Sequence, residues 1–95
     1  MFEWDPKKAS ANLAKHGTSF EEAATVFADS HAMDGPDLHH SVGEVRFLRL
    51  GRSALGTVLM VAYTLRSIGS GETIRIISAR RASRKERAAY ASTED

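Results

Sequence analysis

The chain has 95 residues, 42% of them hydrophobic and 26% charged, with no cysteine and a net charge of +1. The length predicts one domain over residues 1–95, and the composition argues against disorder. The absence of cysteine excludes a disulfide framework and a thiolate metal site, and no apolar run approaches the roughly 20 residues that span a bilayer. Met1-Phe2-Glu3-Trp4-Asp5-Pro6 lacks the basic and apolar regions of a secretory leader, so a soluble, cytoplasmic protein is expected.

The small net charge hides an asymmetry. Residues 1–45 carry three Lys and eight acids, a net −5, whereas residues 46–95 carry ten basic residues and four acids, a net +6. All nine Arg lie in the second half. Arginine suits planar, bidentate contact with phosphate or carboxylate, so an anionic partner is expected; the alternative is a solvated basic face.

In chain order, Phe2-Glu3-Trp4 reads as a short strand. Asp5-Pro6 supplies an N-cap and a first helical residue, and Ala9, Leu13 and His16 mark one face of the helix that follows. Gly17 is placed to end it. Ser19 and Glu22 form a capping box for a second helix, which buries Phe20, Ala23, Ala24 and Phe27 and ends near Ala28 or Asp29. Residues 30–43, with Gly35, Pro36, Gly43 and three His, read as a loop with room for a short edge strand. Strands are predicted over Glu44–Leu50, Thr57–Leu65 and Thr73–Arg80, with a turn at Gly69-Ser70-Gly71 between the last two. Ser83 and Glu86 cap a final helix, Arg84–Ala91, before a frayed tail over Ser92–Asp95. The order is β-α-α, an antiparallel β-meander and a C-terminal helix, an α+β fold with its helices on one face of the sheet.

Strict alternation puts Arg75, Ile77, Ala79 and Arg81 on one side of the last strand and Ile74, Ile76, Ser78 and Arg80 on the other. Five basic residues fall within the eight positions Arg80 to Arg87, at a strand end and a helix N-terminus that also favours anions. A surface paired by Glu86 and the acids of the first half is the competing reading. The four His are the usual candidates for acid–base work, with His39 and His40 in a polar loop; no spacing of His, Asp or Glu suggests a metal site, and His16 suits a capping role at its helix end. Trp4 is expected to staple the first helix and Tyr63 to sit in the core. Tyr90 fits either core packing or RNA contact.

These residues resemble a known family. Phe2-Glu3-Trp4-Asp5-Pro6-Lys7-Lys8-Ala9, Asn12, Lys15-His16-Gly17, Ser19-Phe20-Glu21-Glu22-Ala23 and Val26-Phe27 are similar to the opening signature of the BrnT toxins. Glu44 and Arg46, Val61-Ala62-Tyr63-Thr64 with Arg66, and Ile74 to Ala82 with Glu86, Arg87 and Tyr90 continue the likeness over nearly the whole chain. Two positions depart from the pattern: Asp29-Ser30 stands where Asp-Pro is common, and Ala62 where a larger aliphatic is usual. The loop Asp34–Ser41 matches less well, and nothing is carried over to it.

The resemblance implies a RelE-like fold and a type II toxin: a metal-independent endoribonuclease without cofactor that arrests growth. It implies a BrnA-type ribbon-helix-helix antitoxin as partner, with operator DNA contacted only through that antitoxin. Arg66, Arg80 and Arg81 are then the expected phosphate and transition-state binders. His16, Lys15 and Glu44 are the candidates for proton transfer. Lys15, Arg46, Arg84 and Lys85 are the expected RNA contacts. The alternative is a non-catalytic basic subunit of an antitoxin or nucleic-acid assembly.

Overall fold

A computed structural model of the chain describes residues 1–69 and 71–93. Ser70 of the predicted turn, and Glu94 and Asp95 of the predicted tail, lie outside the described residues. The elements are β1 (Phe2–Glu3), α1 (Pro6–His16), α2 (Phe20–Thr25) with a 3-10 turn over Val26–Ala28, β2 (Met33–Pro36), β3 (Phe47–Arg52), β4 (Val58–Ile68), β5 (Gly71–Arg81) and α3 (Arg84–Ala91). They form a mixed α+β structure around one five-stranded sheet, ordered β1-β5-β4-β3-β2. β1 runs parallel to β5, and the other pairings are antiparallel. None of the described helices is long and apolar enough to cross a membrane.

Local sequence explains the helix ends. The Asp5 carboxylate accepts the Lys7 amide at 2.8 Å, and Gly17, at φ 69°, closes α1 by donating to the Leu13 carbonyl. The inward face of α1 is Ala9, Asn12 and His16, and Leu13 is 51% exposed, so the apolar stripe turns by one residue from the expected one. Ser19 Oγ accepts the Glu22 amide, as a cap should. The reciprocal half of that capping box does not form, because the Glu22 carboxylate accepts from Ser53 Oγ at 2.7 Å instead. The α3 box is complete: Ser83 and Glu86 each accept the other's backbone amide.

Phe20, Ala23 and Val26 bury against Leu59, Val61, Ile76 and Ala79. Trp4 packs edge-on against Phe20, which gives its ring a core role. Gly51 is required where β3 passes under the 3-10 turn, since a Cβ there would lie 3.1 Å from the Ala32 Cβ and 3.2 Å from the Val26 Cβ. Tyr63 stacks on Phe47 and donates its hydroxyl to Asp34; burial, then that bond, push its phenol up to about 12.

Two expectations about the sheet need correction. The helices do not share one face: α3 lies on the side opposite α1 and α2, where Tyr90 and Ala82 pack with Leu50, Val58, Met60 and Met33. Tyr90 is only 2% exposed, and its hydroxyl donates to Asp29 at 2.6 Å, so it is a core residue. Burial draws the Asp29 carboxyl upward, but hydrogen bonds from the Arg52 amide, the Tyr90 hydroxyl and the His31 amide outweigh it and lower its pKa. The second correction concerns alternation along β5. Ala62 pairs with Ser78 and Tyr63 with Ile76, so Ile77 is the extra residue of a β-bulge. Ile74, Ile76 and Ala79 therefore face α1 and α2, Arg75, Ser78 and Arg80 face the other way, and Arg81 is exposed at the strand end.

Candidate active site

The side of the sheet away from α1 and α2 is only partly covered by α3. Beside that helix lies a cavity of about 580 Å³, a size typical of ligand sites. Its floor is Leu48, Met60, Ala62, Ile77 and Ser78, and its polar rim is His16, Asp37, His39, His40, Arg46, Arg80 and Glu86. The bulge at Ile77 sets this arrangement, because it turns Ser78 and Arg80 towards the cavity while keeping Ala79 in the core.

Arg80 is held in a defined orientation. Its two terminal nitrogens donate to the two Glu86 oxygens at 2.8 and 3.0 Å. Glu86 is itself locked by the α3 cap, accepting the Ser83 amide at 2.7 Å. The Arg80 guanidinium foremost, and then the Ser83 amide, hold the Glu86 carboxyl down to about 2, and the same pair raises Arg80. A depressed carboxyl contributes stability that is full above its ordinary value and is lost as pH falls through the folded one. Wild type should therefore lose stability relative to Glu86→Gln between about pH 4.5 and about pH 2. Urea unfolding of both proteins across that window checks this; a constant difference would mean the pair adds nothing.

The opposite wall is the segment between β2 and β3. Asp37 extends the ladder past Pro36, donating its amide to the Arg46 carbonyl at 2.9 Å. Ser41 Oγ donates to the Asp37 carbonyl and accepts the Arg46 amide, and Thr64 Oγ1 donates to the Val45 carbonyl. The segment is thereby fastened to the sheet. Its one imidazole–carboxylate contact is His40 Nδ1 to the Asp37 oxygens, at 3.1 and 3.0 Å. Arg46 reaches the rim with Glu44 at 3.3 Å from its Nε.

The residues singled out from the sequence thus divide. Arg80, His16 and Arg46 meet at the cavity. Arg66 is on the same face of the sheet but outside the cavity, with its Cα about 13 Å along β4 from that of Ala62. It is ion-paired to Glu3 at 3.2 Å, and Arg75 approaches the same carboxylate at 3.7 Å. Arg81 lines a separate cleft with Arg52, Arg87 and Tyr90. Lys15, Arg84 and Lys85 are exposed on helices away from the cavity lining. Asp37, His39, Glu86 and His40 are rim residues that spacing did not single out as site residues. Glu86 carried a sequence signal as a helix cap three residues after Ser83, and His39 and His40 carried one as imidazoles in a polar loop. Among the described residues, no group of three or more His, Cys, Asp or Glu is arranged to hold a metal ion.

Comparison with known proteins agrees with this architecture. The family model for the ribonuclease toxin BrnT of type II toxin–antitoxin systems matches residues 4–86. Among solved structures, the 1.1 Å crystal structure of the Brucella abortus ribonuclease toxin BrnT is similar, with a TM-score of 0.63 and 25% sequence identity over 88% of this chain and 99% of that one. No curated protein sequence matches. On the family match over most of its length, with a fold shared by a solved relative, the chain belongs to the BrnT family of ribonuclease toxins of type II toxin–antitoxin systems.

Proposed function

We propose that this chain is the toxin of such a system, a single RelE-like domain over residues 1–95 that acts in the cytoplasm as a metal-independent endoribonuclease. Its partner is a BrnA-type ribbon-helix-helix antitoxin, which alone contacts operator DNA. The observation that carries the reading is Arg80, clamped by Glu86 at the rim of a cavity shared with His16 and Arg46. An RNA strand can be cut by its own 2′-hydroxyl, which attacks the adjacent phosphorus. That reaction needs a base for the hydroxyl, positive charge for the phosphorane and an acid for the leaving 5′-oxygen.

Arg80 retains donors beyond the two that bind Glu86, so it can hold a phosphate oxygen without losing its orientation. Arg46 supplies a second guanidinium across the cavity. His16, on the last turn of α1, is a candidate acid. Arg66, Arg81, Lys15, Arg84 and Lys85 lie outside the cavity lining and would meet flanking phosphates, where each contact adds affinity that salt weakens.

The test is incubation of purified protein with RNA in EDTA, followed by analysis of the product ends. Cleavage to a 2′,3′-cyclic phosphate and a 5′-hydroxyl is expected. Cleavage only after a divalent metal is restored would overturn metal independence. Salt-sensitive binding without any cleavage would favour a non-catalytic basic subunit.

A further inference from the structure

The reading above leaves the base unassigned, and the segment opposite Arg80 offers one. Asp37 is anchored through both its backbone amide, to the Arg46 carbonyl, and its carbonyl, from Ser41 Oγ, and its side chain is 9% exposed. His40, by contrast, is 68% exposed, and its Nδ1 meets both Asp37 oxygens at 3.1 and 3.0 Å. A carboxylate can only accept, so the neutral imidazole carries its proton on Nδ1 and leaves Nε2 as the free acceptor. His40 lines the cavity whose other wall holds Arg80. His39 also lines it but has no carboxylate partner among the described residues.

We infer that His40 is the general base of this site and Asp37 its positioning residue. The inference rests on the ribonuclease reading. Nε2 of His40 takes the proton of the 2′-hydroxyl as the O2′–P bond forms. The P–O5′ bond breaks, and the departing O5′ takes a proton from the His16 imidazolium. The products are a 2′,3′-cyclic phosphate and a 5′-hydroxyl, with water neither consumed nor released. Asp37 keeps the ring in the working tautomer and faces the positive charge that His40 gains. The other charged or titratable groups around the cavity are His16 on α1, His39 and Arg46 beside His40, Arg80 on β5 and Glu86 on α3.

The experiment measures RNA cleavage by wild type, His40→Ala, His40→Gln, Asp37→Asn and Arg80→Ala, with kcat and KM taken across pH. His40→Ala should lose about 100-fold or more in kcat with little change in KM. Added imidazole should restore part of that loss, and the rise of rate from acidic pH should disappear while the alkaline fall remains. Asp37→Asn should lower kcat by about 10-fold or more while His40 is still present. Wild-type kcat and pH profile in both His40 variants, alongside an inactive Arg80→Ala, would overturn His40 as base and leave the ribonuclease reading standing. A loss of activity that imidazole does not restore, with both limbs of the profile intact, would also overturn it, as a structural role. RNA left intact by wild type would sink both readings together.

Discussion

Arg80→Ala is expected to lower the rate of RNA cleavage by roughly 100- to 1,000-fold, the usual cost of losing one oriented donor to developing charge. The protein should stay folded. Arg80 is an exposed residue at the end of β5, and its removal leaves the α3 capping box intact, because Ser83 and Glu86 bond each other's amides without it. Expression of the variant should therefore no longer arrest growth, although the protein accumulates normally. Arg81→Ala is the informative control. Arg81, next to Arg80 in sequence, lines a different cleft, and loss of a flanking phosphate contact should change affinity and its salt slope by about one charge, with a much smaller effect on kcat. The comparison is made by cleavage kinetics and salt titration on the two purified variants. Equal losses in both, or full toxicity of Arg80→Ala at matched expression, would displace the site from this cavity.

Asn12→Leu should have the largest effect on stability. Asn12 is 8% exposed, and its amide nitrogen donates to the carbonyls of Ala79 at 2.8 Å and Thr18 at 2.9 Å, while its oxygen accepts the Ala79 amide at 3.1 Å. The reason lies in the sheet. β1 pairs with β5 only at Ile74 and Arg75, so beyond them β5 presents an open edge on that side. The Asn12 side chain completes that edge at Ala79, as a strand would. Leucine fills similar space but orphans three buried backbone groups, at about 1–3 kcal/mol each, for a total of roughly 3–5 kcal/mol once some relax towards water. For a domain of this size that is a fall in Tm of roughly 15–30 °C. Thermal and urea unfolding measure it, and a melting point within about 5 °C of wild type would show that Asn12 is not what closes the edge. The same substitution should impair cleavage, because Ala79 lies directly between Ser78 and Arg80 at the cavity.

Much of the local structure was written in short patterns. Asp5-Pro6, Gly17, Ser19 and the pair Ser83 and Glu86 each decide a backbone conformation within four residues, and such signals survive any packing. Of the stripe Phe20, Ala23, Ala24 and Phe27, the first two are fully buried and the last two partly so, while Val26 takes the remaining core place where the helix tightens into a 3-10 turn. The basic half of the chain was equally plain, as a charge that needed a partner. Its arrangement was not. Neither glycine nor proline marks the bulge at Ile77; it exists because Ile76 and Ala79 both pack into the core under α2, and a strictly alternating strand could not put both there. That single extra residue decides which way Arg80 points. The family resemblance carried no information for the segment around Asp37, where the likeness was weakest, so His40 stood only as one imidazole of a polar loop, and its pairing with a carboxylate three residues away appeared only in the folded chain.

Composition, periodicity and capping by themselves determined an α+β chain with a basic second half, because those properties depend on neighbours in sequence. Only the tertiary structure decided that Arg80, His16, Arg46 and the Asp37–His40 pair share one cavity, while Arg66 pairs with Glu3 and Arg81 lines another cleft. Those placements depend on strand register, on the face that α3 covers and on which acid lies within reach of which guanidinium, and each is set by contacts between residues distant in the chain.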